Sequence, residues 1–151
     1  MGDFEKFYNI ALRFLSYRPR SEKEVKDKLK RKKIDQTMID RVINKLKEQK
    51  FINDEEFAKW WIEQRTNFKP RSLRLIKIEL RQKGIEQDLI DSLINDLRLM
   101  NNDLEQAKKL IEKRIERFRD LSKQEIYQKL GSYLARRGFD WDIIKQVIDP
   151  D

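Results

Sequence analysis

The sequence predicts an all-α chain built from three tandem three-helix repeats, each of about 50 residues. Three observations point there. Ala11, Phe14, Leu15 and Arg18 recur at the same spacing as Ala58, Trp61, Ile62 and Arg65, and again as Ala107, Leu110, Ile111 and Arg114. Those offsets fall on one face of a 3.6-residue helix. A second block repeats behind the first: Ser21 leads Val25, Leu29, Ile34, Ile39, Val42 and Ile43, and Ser72 leads Ile76, Leu80, Ile85, Ile90, Leu93 and Ile94. Finally, 4 Gly and 3 Pro in 151 residues are too few for a turn-rich β fold.

The first helices of the repeats are expected at 3–17, 54–67 and 103–118, with Asn53 or Asp54 and Asn102 or Asp103 available to cap the second and third of them. The second helices are expected at 21–32, 71–83 and 122–137, each opened by a serine whose hydroxyl can accept an unpaired backbone N–H: Ser21, Ser72 and Ser122. Pro19 and Pro70 limit how far the preceding helices run. The third copy has four extra residues between Ser122 and Leu134, close to one helical turn, so its apolar face is preserved. The third helices follow at 36–49, 87–99 and 140–149, which sets the repeats at 1–52, 53–100 and 101–151. Gly84 and Gly138 stand where the second helix must turn through left-handed backbone. Lys33 holds that place in repeat one, at a cost of about 1 kcal/mol relative to glycine, which makes repeat one the least tightly specified.

Composition narrows function. The chain has no Cys and no His, which excludes disulfides, thiolate or imidazole metal sites and nucleophile–histidine pairs. Nothing resembles a phosphate loop or a clustered carboxylate centre, so neither catalysis nor a cofactor is expected. The N-terminal run has no apolar signal core and no stretch is long enough to span a bilayer, so a cytoplasmic protein is expected. Of the formal net charge of +8, residues 1–52 carry nearly all: 15 Lys/Arg stand there against 8 Asp/Glu. Such a field draws polyanions or acidic protein surfaces.

Four motifs then resemble the RecX regulatory proteins: Arg18-Pro19-Arg20-Ser21-Glu22, Phe51-Ile52-Asn53-Asp54 leading to Phe57-Ala58, Leu80-Arg81-Gln82-Lys83-Gly84-Ile85, and Leu134-Ala135-Arg136-Arg137-Gly138-Phe139. The resemblance covers almost the whole chain, in order. It implies an elongated, curved array of three-helix repeats without enzymatic activity. It also implies a monomeric partner of the RecA recombinase filament that inhibits recombinase, ATPase and co-protease functions, touching single-stranded DNA weakly or through the filament. The alternative is an autonomous DNA-binding helical-repeat protein of helix-turn-helix character.

The residues expected to meet RecA or DNA are Lys28, Lys30, Arg31, Lys32 and Lys33 in repeat one, Trp60, Lys69, Arg71, Arg74, Arg81 and Lys83 in repeat two, and Arg136 and Arg137 in repeat three. For the lysines the competing reading is a solvated helix with i,i+4 pairs such as Glu22–Lys26 and Glu24–Lys28. The recurrent Arg65 and Arg114 can equally tie the first helix to its neighbours. Trp61 aligns with Phe14 and Leu110 and is expected in the core. Trp60 aligns with Arg13 and Lys109, so it should face outward or between repeats. Trp141 is expected as a packing anchor. Charge reversal at Arg71, Arg74 and Arg81 is expected to weaken filament regulation with helicity intact.

Overall fold

The computed structural model describes residues 2–99 and 102–149, so the expected segment ends at 1, 100, 101 and 151 lie outside the described residues. Among the described residues the chain is all-α, with nine helices and no strand, arranged as three consecutive three-helix repeats. Repeat one holds α1 (Asp3–Tyr17), α2 (Glu22–Arg31) and α3 (Gln36–Glu48). Repeat two holds α4 (Asp54–Asn67), α5 (Leu73–Gln82) and α6 (Gln87–Asp96). Repeat three holds α7 (Asp103–Arg114), which tightens into a 3-10 turn at Ile115–Phe118, then α8 (Lys123–Arg136) and α9 (Trp141–Ile148).

The chain forms two compact units, Met1–Trp61 with Leu80–Ile90 and Ile62–Glu79 with Asp91–Asp151. In the first unit Ala11, Val25, Leu29, Ile39, Val42, Ile43 and Leu46 make a core with no more than 2% exposure, and Phe4, Phe7, Tyr8 and Phe14 pack at its edge. In the second, Ala107, Leu110, Ile111, Leu130, Tyr133, Leu134, Phe139 and Ile144 make a core with no more than 9% exposure. Phe57, Ala58, Ile62, Ile76, Leu80, Ile85, Ile90, Leu93 and Ile94 are likewise buried. Most of these are the spaced apolar positions that predicted the helices; Leu46, Phe57, Leu130 and Tyr133 join them.

Local chemistry sets the ends of the helices. Ser21 and Ser122 each close a capping box with the glutamate three residues on, Glu24 and Glu125. Ser72 accepts the Leu75 N–H (3.1 Å), but Leu75 stands where the other repeats have Glu, so the Ser72 N–H donates instead to the Arg137 carbonyl (3.1 Å). Asn53 caps α4 by accepting the Glu56 N–H (3.1 Å). Asn102 makes no side-chain cap.

Asp54 and Asp103 act differently from the capping role expected of them: each reaches back to the preceding repeat. Asp54 Oδ1 accepts the Glu22 N–H at the start of α2, and Asp103 Oδ1 accepts the Leu73 N–H at the start of α5, both at 2.8 Å. Two further contacts recur with them. Lys23 Nζ donates to the Gln82 carbonyl at the end of α5 (3.0 Å), and Arg74 Nη2 donates to the Gly138 carbonyl after α8 (3.2 Å). Each cation thus satisfies a carbonyl at the C-terminal end of the next repeat's second helix. A clasp therefore joins repeat one to two and repeat two to three by the same parts.

The clasp explains the glycines. Gly84 has φ +84° and Gly138 φ +91°. A Cβ at Gly84 would stand 2.7 Å from Lys23 Cβ, and one at Gly138 would stand 2.5 Å from Ser72 Oγ. Both positions need glycine for backbone freedom and for room. Lys33 adopts φ 61° at the matching position and is exposed, so only the backbone cost remains there. Lys50 and Arg98 also adopt positive φ, 63° and 58°, where the third helices end. No glycine marks those two turns, and sequence reading missed both.

Candidate interaction site

Several cations expected to meet RecA or DNA make contacts within the fold. Arg74 belongs to the clasp. Arg71 Nη1 pairs with Glu79 Oε2 (3.1 Å), and Arg65 Nε takes the other oxygen of the same carboxylate (3.0 Å). Lys83 pairs with Glu24 (3.3 Å) and lies 5.3 Å from the Trp61 ring centroid. Charge reversal at Arg71 or Arg74 would therefore break the fold's own contacts. Arg81 and Arg136 are exposed and make no ion pair among the described residues.

Repeat one divides the same way. Glu22 pairs with Lys26 (2.8 Å) and with Lys47, whereas Glu24 pairs with Arg18 and Lys83 rather than with Lys28. Burial works against the Glu24 anion, but the Ser21 backbone N–H, Arg18 and Lys83 outweigh it and hold the carboxyl below its ordinary range. Lys28 is half-buried with Nζ 5.4 Å from the Phe14 ring centroid. Lys30, Arg31, Lys32 and Lys33 are exposed and free of ion pairs among the described residues. Lys28 and Lys32 line a groove of about 350 Å³ with Ile10, Arg13, Phe14 and the exposed Tyr17.

The three tryptophans depart from expectation in two cases. Trp60 is half-buried against Phe57 and Trp61, with the Arg18 guanidinium of repeat one 5.6 Å from its centroid. Trp61 is half-buried rather than core, because α4 turns Phe57, Ala58 and Ile62 fully inward and leaves the indole on the shoulder of that face. Trp141 is 55% exposed, touching Tyr127 edge-on at 5.7 Å, and so is not a buried anchor. It opens the first turn of α9, where only Ile144 is buried.

A further concentration of cations lies in the second unit. A cleft of about 440 Å³ is lined by Lys69, Arg71, Lys113, Arg114, Arg117 and Arg137, with Phe68, Pro70, Leu110 and Tyr133 between them. Among the described residues no carboxylate lines it. The Arg114 and Arg137 guanidiniums sit 3.9 and 4.9 Å from the Tyr133 ring centroid. Lys69, Lys113 and Arg117 are exposed and have no ion pair among the described residues. The Arg71 Nε–H is buried without an acceptor. Burial, with Arg65 and Arg137 adding to it against Glu79, lowers the affinity of Arg71 for its proton. Three expected residues, Lys69, Arg71 and Arg137, meet here. Lys113 and Arg117 were not foreseen, because the balanced charge of the last third hid a local excess.

The chain is similar to three family models that tile it in order: RecX first three-helix domain at residues 8–46, second at 53–94 and third at 101–148. A protein of Bacillus subtilis (strain 168) named regulatory protein RecX is 35% identical over 147 residues, covering 97% of this chain and 55% of its own length. One of the same name from Clostridioides difficile (strain 630) is 36% identical over 144 residues, covering 95% and 67%. The chain spans about half the length of the Bacillus relatives it matches. The crystal structure of RecX from Lactobacillus salivarius superimposes with a TM-score of 0.74 at 32% identity, over 98% of this chain and 96% of that one.

Proposed function

Because the chain belongs to the RecX family, we propose that it regulates the RecA recombinase, binding RecA and its filament on single-stranded DNA and inhibiting recombinase, ATPase and co-protease activities. The observation that carries this reading is the match of three RecX domain models, in order, to residues 8–46, 53–94 and 101–148. The relatives' names support a regulator that binds rather than catalyses. Among the described residues no helix is long and apolar enough to cross a membrane. The exposed cations of repeat one and the cation-lined cleft of the second unit support this reading, since both suit an acidic surface or a polyanion.

The test is RecA ATPase on single-stranded DNA with the chain added far below one copy per RecA. Inhibition in that range, with shortened filaments, is the expected result. An unaltered rate and filament length at saturating chain would overturn the proposal. Duplex binding without RecA that is tight and sequence-dependent would favour the helix-turn-helix alternative instead.

A further inference from the structure

The repeats place Lys28, Glu79 and Tyr133 at one equivalent position, immediately before the buried Leu29, Leu80 and Leu134. Each faces the first helix of its own repeat: Lys28 lies over Phe14, Glu79 binds Arg65, and Tyr133 lies under Arg114. Repeat two therefore carries its own carboxylate in this groove. Glu79 is only 14% exposed and holds two arginines, one on each oxygen. Repeat three keeps the recurrent arginine but has a neutral ring where the carboxylate would be. Around that ring it adds Lys113, Arg117 and Arg137. Repeat one places the cation Lys28 there, in a groove with Arg13 and Lys32, whereas the cleft beside Tyr133 gathers six cations.

We propose that the repeat-three cleft is a docking site for an acidic side chain of a protein partner, seated as Glu79 is seated in repeat two. This rests on the reading that the chain works by binding another protein. Charge complementarity carries it: six cations converge with no carboxylate among the described residues lining the cleft, and burying like charges together is unfavourable until an anion joins them. Repeat two shows that this groove geometry accepts a carboxylate. Arginine forks match a carboxylate with two parallel N–H donors. A volume of about 440 Å³ suits one or two side chains. Phe68, 66% exposed at the rim, supplies apolar contact for the residue beside the acid.

The experiment measures fluorescence anisotropy of a fluorescein-labelled peptide of alternating Gly and Glu with the full chain, alongside a labelled oligothymidylate. Tyr133→Glu installs repeat two's own carboxylate and should close the cleft, weakening peptide binding about tenfold or more. Arg117→Glu, at an exposed position that cannot unfold the chain by packing, should do the same. Lys145→Glu, exposed on α9, should change it less than about twofold. The proposal is overturned if the wild-type chain leaves the peptide unbound, or if all three variants weaken it equally. It is also overturned if the cleft variants spare the peptide and weaken only the oligothymidylate, which would make the cleft a nucleic-acid site. RecA is absent from this assay, so its failure leaves the regulatory reading standing, and failure of the ATPase test leaves the cleft result standing.

Discussion

At the scale of single residues, Gly84 and Lys33 hold the same turn and should respond oppositely to substitution. Gly84→Ala adds a Cβ 2.7 Å from Lys23 Cβ on a left-handed backbone. It should lower stability by about 2–4 kcal/mol, from backbone strain and overpacking together. Lys33→Gly should raise it by up to about 1 kcal/mol, because Lys33 is exposed and only the backbone cost is removed. Urea denaturation midpoints of the two variants check both. Asp54 offers a second test. Burial, reinforced by the Glu22 carboxylate, raises its pKa against the pull of the Glu22 N–H, Lys47 and Lys26. A raised folded-state carboxyl pKa means that stability falls as pH rises from the unfolded value through the folded one. Asp54→Asn keeps the acceptor and drops the charge. Its melting temperature should equal or exceed that of the wild type at neutral pH, and the advantage should shrink as acid protonates Asp54. An advantage that grows in acid would contradict the sign.

Among the elements, α5 is tied to its neighbours at its start, where Ser72 serves two partners while 1% exposed. Ser72→Ala should cost about 1–2 kcal/mol, the larger end of a lost N-cap, since the hydroxyl is buried. Ser122→Ala, at an exposed cap, should cost about 1 kcal/mol or less. The α-helices were legible because apolar spacing, cap serines and turn glycines agree: α1 and α4 fall on the expected residues, and the others differ by one to three residues at an end. The expected first helix of repeat three, 103–118, is divided, with Ile115–Phe118 wound as a 3-10 turn. Partner choice was less legible. Arg71, Arg74 and Lys83 carry the charge expected of surface residues, but their carboxylate and carbonyl partners lie eight to 64 residues away. The cleft was hidden for a related reason. Lys113 and Arg117 share one turn after Leu110, while Lys69, Arg71 and Arg137 come from other elements. A running charge count averages them with the acids of α7.

For the whole molecule, the unequal loading of the repeats sets what a binding experiment should read. Arg81→Glu removes an exposed cation without an ion pair among the described residues, so RecA inhibition should weaken a few-fold while the thermal midpoint stays within about 1 °C, as expected of a surface change. Arg74→Glu should instead lose stability, because its contact with the Gly138 carbonyl is part of the clasp. Comparing midpoints with inhibition curves separates the two, and equal midpoints would remove Arg74 from the clasp. The clasp has a further consequence, which concerns how such chains can lengthen. A repeat that follows another must bring an aspartate four residues before its recurrent alanine and a glycine after its second helix. Repeats two and three bring Asp54 with Gly84 and Asp103 with Gly138, whereas repeat one has Phe7 and Lys33 at those places. Repeat two is therefore a unit that gene duplication could copy in tandem without redesign. Repeat one could not be inserted behind another unit until both positions had changed, so the order of modules is written into two residues of each.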